Sequence, residues 1–207
     1  MSPTVIHMVR HGHVHNPGKI MYGRLPRFRL STAGRKQAHA AGRYLANMPM
    51  QAVFSSPMLR AQQTAGEILT FFPALKLRTS ILLNEVCTAF EGLPSAQVDR
   101  SKQGDIYTGA AACFEQPVNV FERVAAFCRR VHTRFAGQHV TAVTHGDVIT
   151  FTVLWALGWE VSPRNKSRLR QAGYAVGYPA HASVTSLVFK TASAEERPRI
   201  VYIQPWD

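Results

Sequence analysis

The sequence predicts an α/β fold, a three-layer α/β/α sandwich with a mostly parallel central sheet. Three observations carry the layered part of that expectation. Short β-rich runs alternate with longer segments whose apolar residues keep helical spacing. The chain closes on two β-rich runs, the pattern of a β pair added to a parallel sheet. Residues able to do chemistry sit where the β-rich runs end, which is where open α/β sheets bind ligands.

Val5 to Arg10 reads as a short buried strand, ended by Gly12 and Asn16-Pro17. Residues 12 to 30 form a loop rich in Gly, Pro and Arg. Ser31 caps a helix running to about Asn47, with Ala38, Ala41 and Leu45 on its inner face. "QAVFSS" is a second strand, and Ser56-Pro57 predicts a helix start, a capping serine with proline at the first helical position, reaching about Leu69. "ALKLRTS" predicts a third strand, whereas residues 84 to 116 carry no clear period. Phe121, Val124, Cys128, Val131 and Phe135 keep helical spacing between Val118 and Phe135, and Gly137 supplies the stop. "HVTAVTHGD" is a strand leading into a helix from Val148 that Gly158 ends. "SVTSLVFK" and "RIVYIQ" read as antiparallel neighbours.

The 207 residues, 46% hydrophobic and 17% charged, fit one globular domain spanning the whole chain and exclude a disordered one. The balance of 24 Lys+Arg against 12 Asp+Glu gives a formal +12, which favours an anionic partner without choosing one. Cys87, Cys113 and Cys128 have no CxxC spacing, so neither a disulfide framework nor a zinc pattern follows and a reducing compartment is expected. The first residues lack the apolar stretch of a signal peptide, and "VITFTVLWALG" is too short to span a bilayer. The expectation is a cytoplasmic protein with no membrane partner.

The strand ends deliver Arg10-His11-Gly12, then Ser55-Ser56-Pro57 with Arg60 one turn further, then Asn84-Glu85, then Thr144-His145-Gly146-Asp147. This set suits phosphoryl transfer. A neutral imidazole is a competent nucleophile near pH 7. Arginine forks match phosphoryl oxygens and stay charged, and with a second histidine they neutralise the transition state. A carboxylic acid protonates the leaving oxygen and then activates water. The helix after Gly146 presents backbone N–H groups to an anion.

Together "VRHG", "SSPMLRAQQTA", "LNE" and "VTHGDVI" resemble the histidine phosphatase superfamily, also called the phosphoglycerate mutase-like family. The resemblance implies that His11 becomes phosphorylated, that Arg10, Arg60 and His145 form the phosphate pocket, and that Glu85 is the proton donor. Asn16 falls near the family's pocket asparagine. The chain departs from the pattern twice: His13 stands where relatives hold Glu or Asp, and the stretch "VCTAFEG" after Glu85 is shortened.

The implied activity is hydrolysis of a small anionic phosphorylated metabolite, without cofactor or metal. Two rivals stay open, a mutase that returns the phosphoryl group to a bound product and a non-catalytic phospholigand-binding protein. His11, His13 and His15 alternate onto one face of an extended segment, but His11 cannot serve as ligand and nucleophile together. Arg24, Arg27 and Arg29, with Lys19, line the loop after the nucleophile, either as solvated surface charge or to grip a second anionic group of the substrate, the role assigned to Arg24. Arg123, Arg129, Arg130 and Arg134 are expected on a solvated helix face. The basic run from Ser162 to Gly173 lacks interleaved aromatics, so no nucleic-acid partner is expected. Residues 86–116 and 159–182 are expected to form a lid or rim, and nothing in the pattern speaks to oligomeric state.

Overall fold

The computed structural model describes residues 2–102, 105–191, 193 and 196–206. Six strands, β1 (Thr4–Arg10), β2 (Met50–Ser55), β3 (Leu77–Thr79), β4 (His139–Thr144), β5 (Val184–Phe189) and β6 (Arg199–Ile203), form one sheet in the order β3-β2-β4-β1-β5-β6. β3, β2, β4 and β1 run parallel, whereas β5 joins β1 and β6 joins β5 antiparallel. The mostly parallel sheet and the closing β pair are as expected.

Five α-helices accompany it among the described residues: α1 (Thr32–Leu45), α2 (Leu59–Leu69), α3 (Ser95–Lys102), α4 (Pro117–Arg134) and α5 (Gly146–Ala156). Strand alternation sends side chains to two cores. Ile6, Met8, Val140, Ala142 and Leu187 pack with α4 and α5. Val9, Val53, Val143 and Val184 pack with Ala41 and Leu45 of α1 and Ala61, Ala65 and Ile68 of α2. Each fully buried Val, Leu or Ile contributes roughly 1.5–3 kcal/mol. That outweighs the roughly 1 kcal/mol cost of each glycine inside α1, Gly34 and Gly42.

Ser31 caps α1 as expected, its hydroxyl accepting the Gly34 N–H at 3.0 Å. Ser56 does not cap α2. That helix starts at Leu59 behind Met58, because the Ser56 hydroxyl is drawn to His145 Nε2 at 2.8 Å. The expected third strand shrinks to three residues. Residues 84–116 contain only α3 as a regular helix, with Val98 its one buried side chain, while residues 103 and 104 of that stretch lie outside the described residues. Among the described residues no helix is long and apolar enough to cross a membrane.

Candidate active site

The register of the parallel strands brings their carboxyl ends level, and the loops leaving them are stitched to one another. His11 N donates to Thr144 O at 3.0 Å, Ser56 N to Val143 O at 2.9 Å, and Ala182 N to His11 O at 3.2 Å. The loop holding His11 also lies directly on α1. A side chain at Gly12 would meet Gly34 O at 2.4 Å, and one at Gly34 would meet His13 O at 2.0 Å, so both positions need glycine. Gly12 N donates to Thr64 Oγ1, whose own hydroxyl donates to Arg60 O, tying the loop to α2.

His11 is buried, with Nδ1 2.9 Å from Gly12 O. A carbonyl only accepts, so Nδ1 carries the proton and Nε2 keeps its lone pair. The His145 ring centroid lies 5.3 Å away. Arg60, 1% exposed, donates from Nη2 to Gly23 O at 2.8 Å and reaches Glu85 Oε2 at 3.3 Å and His145 Nδ1 at 3.2 Å. Arg10 donates from Nη1 to Pro179 O at 2.7 Å and stacks 5.0 Å over the Tyr178 ring. The Nε–H groups of Arg10 and Arg60 are buried without an acceptor. Two unpartnered guanidinium donors beside a histidine lone pair favour an anion with several oxygens.

Burial, then Arg60, His145 and Arg10, hold the His11 pKa well below 6.5, so the ring is neutral at pH 7. Burial also lowers His145, to about 4, against the pull of Glu85. Burial disfavours ionised Glu85, but His145, Arg60 and the Val86 N–H outweigh it and hold the carboxyl well below the usual range.

Glu85 is braced from behind. Its carbonyl accepts Arg24 Nε at 2.7 Å and Arg123 Nη2 at 3.3 Å. Glu115 pairs with both cations, Arg24 Nη2 at 2.8 Å and Arg123 Nε at 2.7 Å, and accepts Cys87 N at 2.8 Å. This corrects two expectations. Arg24 spends its guanidinium on the Glu85 carbonyl and Glu115 instead of standing free for a second anionic group, and Arg123 is bound inward instead of lying on a solvated face. Sequence reasoning missed Glu115 altogether. The signal for Arg123 was available, since Val120 and Phe127 are also buried and widen the apolar stripe of α4 to reach its flank.

Asn16 lines the cavity, but its amide closes its own loop, bonding Ile20 O at 2.8 Å and Ile20 N at 3.2 Å. Gly146 opens α5 behind His145, where any Cβ would strike the Tyr178 hydroxyl at 2.2 Å. His13 is exposed and bonded to Ser31 Oγ at 2.9 Å, and His15 is exposed too. His11, Glu85 and His145 offer ligand atoms within 4.8 Å of one another. Arg60 Nη2 stands against two of those atoms, however, so the electrostatics of this donor set suit an anion better than a metal cation. A cavity of about 910 Å³ opens from Arg10, Tyr22 and Glu85 outward to Lys102 and Lys166, bordered by both expected rim segments.

Over residues 6–189 the chain matches the histidine phosphatase superfamily (branch 1). The chain belongs to that superfamily. It is 33% identical to the uncharacterized protein Rv0525 of Mycobacterium tuberculosis, over 98% of this chain and 96% of the relative. A 70-residue stretch is 43% identical to fructose-2,6-bisphosphatase TIGAR of Xenopus laevis, covering 33% of this chain and 26% of that protein. Among solved structures, mycobacterial glucosyl-3-phosphoglycerate phosphatase Rv2419c superposes with a TM-score of 0.75 at 25% identity, over 97% of each chain. The histidine phosphatase fold is therefore common to this chain and to enzymes named as phosphatases.

Proposed function

We propose that the protein hydrolyses phosphomonoesters of small anionic metabolites through a phosphohistidine on His11. The observation that carries this reading is the Gly12 carbonyl bond on His11 Nδ1, which leaves a neutral Nε2 lone pair beside Arg10 and Arg60. Nε2 forms a bond to phosphorus as the ester P–O bond breaks, and Glu85 gives its proton to the departing oxygen. Water then attacks the phosphohistidine, Glu85 takes the water's proton, and inorganic phosphate leaves. Arg10, Arg60 and His145 neutralise the equatorial oxygens.

In the resting site Glu85 is ionised and paired with Arg60, so it needs a proton before it can donate one. An entering phosphoryl dianion supplies the reason for the change. It takes over Arg60 and by its own charge raises the Glu85 pKa. A monoanionic substrate also brings a proton with it.

The cavity is far larger than a phosphate, in the range that holds whole metabolites. Two relatives are named for phosphorylated carbohydrate derivatives, which puts sugar phosphates first in a substrate panel. The test is isolation of an acid-labile, alkali-stable phosphoenzyme from wild type and its absence in His11→Ala. Full turnover in that variant would overturn the proposal. Transfer of the phosphoryl group to a second position of a sugar acid, without phosphate release, would make the protein a mutase instead.

A further inference from the structure

Three segments distant in sequence meet at one carboxylate that the proposed chemistry does not use. Asp147, in the first turn of α5 and 6% exposed, accepts hydrogen bonds from Tyr107 Oη, from Tyr178 Oη at 2.8 Å and from Lys166 Nζ at 2.7 Å. Tyr107 belongs to the first border of the cavity, residues 86–116. Lys166 and Tyr178 belong to the second, residues 159–182. Lys166 also lies 5.1 Å over the Tyr107 ring, so the two borders touch each other at this point.

The same cluster reaches the phosphate pocket. Two contacts that fix Arg10 come from adjacent residues, the Tyr178 ring beneath its guanidinium and the Pro179 carbonyl on Nη1. The hydroxyl of Tyr178, at the far end of that ring, is held by Asp147. An ionised carboxylate two residues past His145 would by itself repel a phosphoryl group. Lys166 cancels that charge, and the two phenols occupy its remaining lone pairs.

We propose that Asp147 is a positioning residue, which holds Tyr178 and Pro179 against Arg10 and, through Tyr107 and Lys166, ties both cavity borders to the phosphate pocket. The part concerning Arg10 rests on the phosphatase reading above. The part concerning the borders does not.

Two variants separate positioning from mere support. Asp147→Asn keeps the volume and one acceptor but loses the charge, and Tyr178→Phe keeps the ring under Arg10 but loses its anchor. Each is expected to weaken inorganic phosphate binding, measured by calorimetry, about tenfold, because a displaced guanidinium loses its grip. KM for an aryl phosphate should rise in step, and kcat should fall with it, because the displaced guanidinium also serves the transition state. The double variant should be little worse than either single one, since both break the same link. Independently, Asp147→Asn and Tyr107→Phe should speed trypsin cleavage after Arg164 and Lys166 in the ligand-free protein.

Unchanged phosphate affinity in Tyr178→Phe, or a loss in kcat with KM untouched, overturns the Arg10 part. Unchanged trypsin sensitivity overturns the border part. If Asp147→Asn does not fold, Tyr178→Phe and Tyr107→Phe decide the two parts. A wild type that binds no phosphate overturns the functional reading together with the role of Arg10, and the trypsin comparison still decides the tie between Asp147 and the borders.

Discussion

Strands β1 and β4 carry two histidine pairs with nearly the same spacing and opposite character. Within the strands, His7 and His139 stand with ring centroids 5.2 Å apart; beyond the strand ends, His11 and His145 stand 5.3 Å apart. In both pairs burial lowers the pKa. The difference lies in what the ring nitrogens touch. His7 uses both, Nδ1 with Ser186 Oγ at 2.8 Å and Nε2 with His139 Nδ1 at 3.0 Å. His11 uses one, on Gly12 O, and the other stays beside Arg10 and Arg60. A buried neutral histidine with both nitrogens satisfied is structural; with one lone pair left among cations, it is equipped for an anion.

The largest expected effect tests that contrast directly. His11→Ala should lower kcat/KM by at least about 10³, as loss of a covalent nucleophile does. His7→Gln should leave kcat/KM within about twofold and lower the melting temperature instead. Similar kinetic losses in both would erase the distinction. Next in size is Glu85→Gln, with kcat on an alkyl phosphate down about 10²–10³. The loss should shrink on an aryl phosphate, whose leaving oxygen needs no proton; an equal loss on both would reassign Glu85 to binding. Smaller again is Glu115→Gln, which weakens the clamp of Arg24 and Arg123 on the Glu85 carbonyl. About a tenfold fall in kcat is expected, again larger on the alkyl substrate. A fall confined to KM would show that the clamp does not act through the acid.

How much of this was legible in the sequence follows from where each contact originates. His11, Arg60 and His145 were readable because a strand end fixes them locally, and the topology rule states where strand ends converge. Glu85 was readable by its motif. Glu115 and the Asp147 cluster were not, because their partners lie 8 to 91 residues away and nothing local marks the pairing, whereas for Arg123 the widened apolar stripe of α4 signalled an inward flank but not its partner. Arg24 was misassigned for the same reason: a loop arginine near His11 can face the cavity or brace Glu85, and only the fold decides. Ser56-Pro57 has the local pattern of a helix start, yet a tertiary bond to His145 claimed the serine and moved the start to Leu59. α3 escaped because one buried valine leaves no periodic signal.

The smallest predicted effect concerns stability against pH, and it sharpens the contrast from the structural side. The folded pKa of His7 is lowered to about 3 by burial and by His139, against 6.5 in the unfolded chain. Between those values the unfolded chain binds a proton that the folded one does not. Stability is therefore complete above pH 6.5 and falls as pH drops toward 3, by up to about 1.4 kcal/mol per pH unit from this residue. At pH 7 His7→Gln should cost about 1–2 kcal/mol through the bonds to Ser186 and His139. Because glutamine does not titrate, the variant should lose less than wild type on acidification, and the gap should narrow from pH 7 to pH 5. Urea unfolding of both proteins at the two values measures this. Parallel losses would mean that His7 keeps its proton balance on folding and that the pair within the strands is not held neutral by burial.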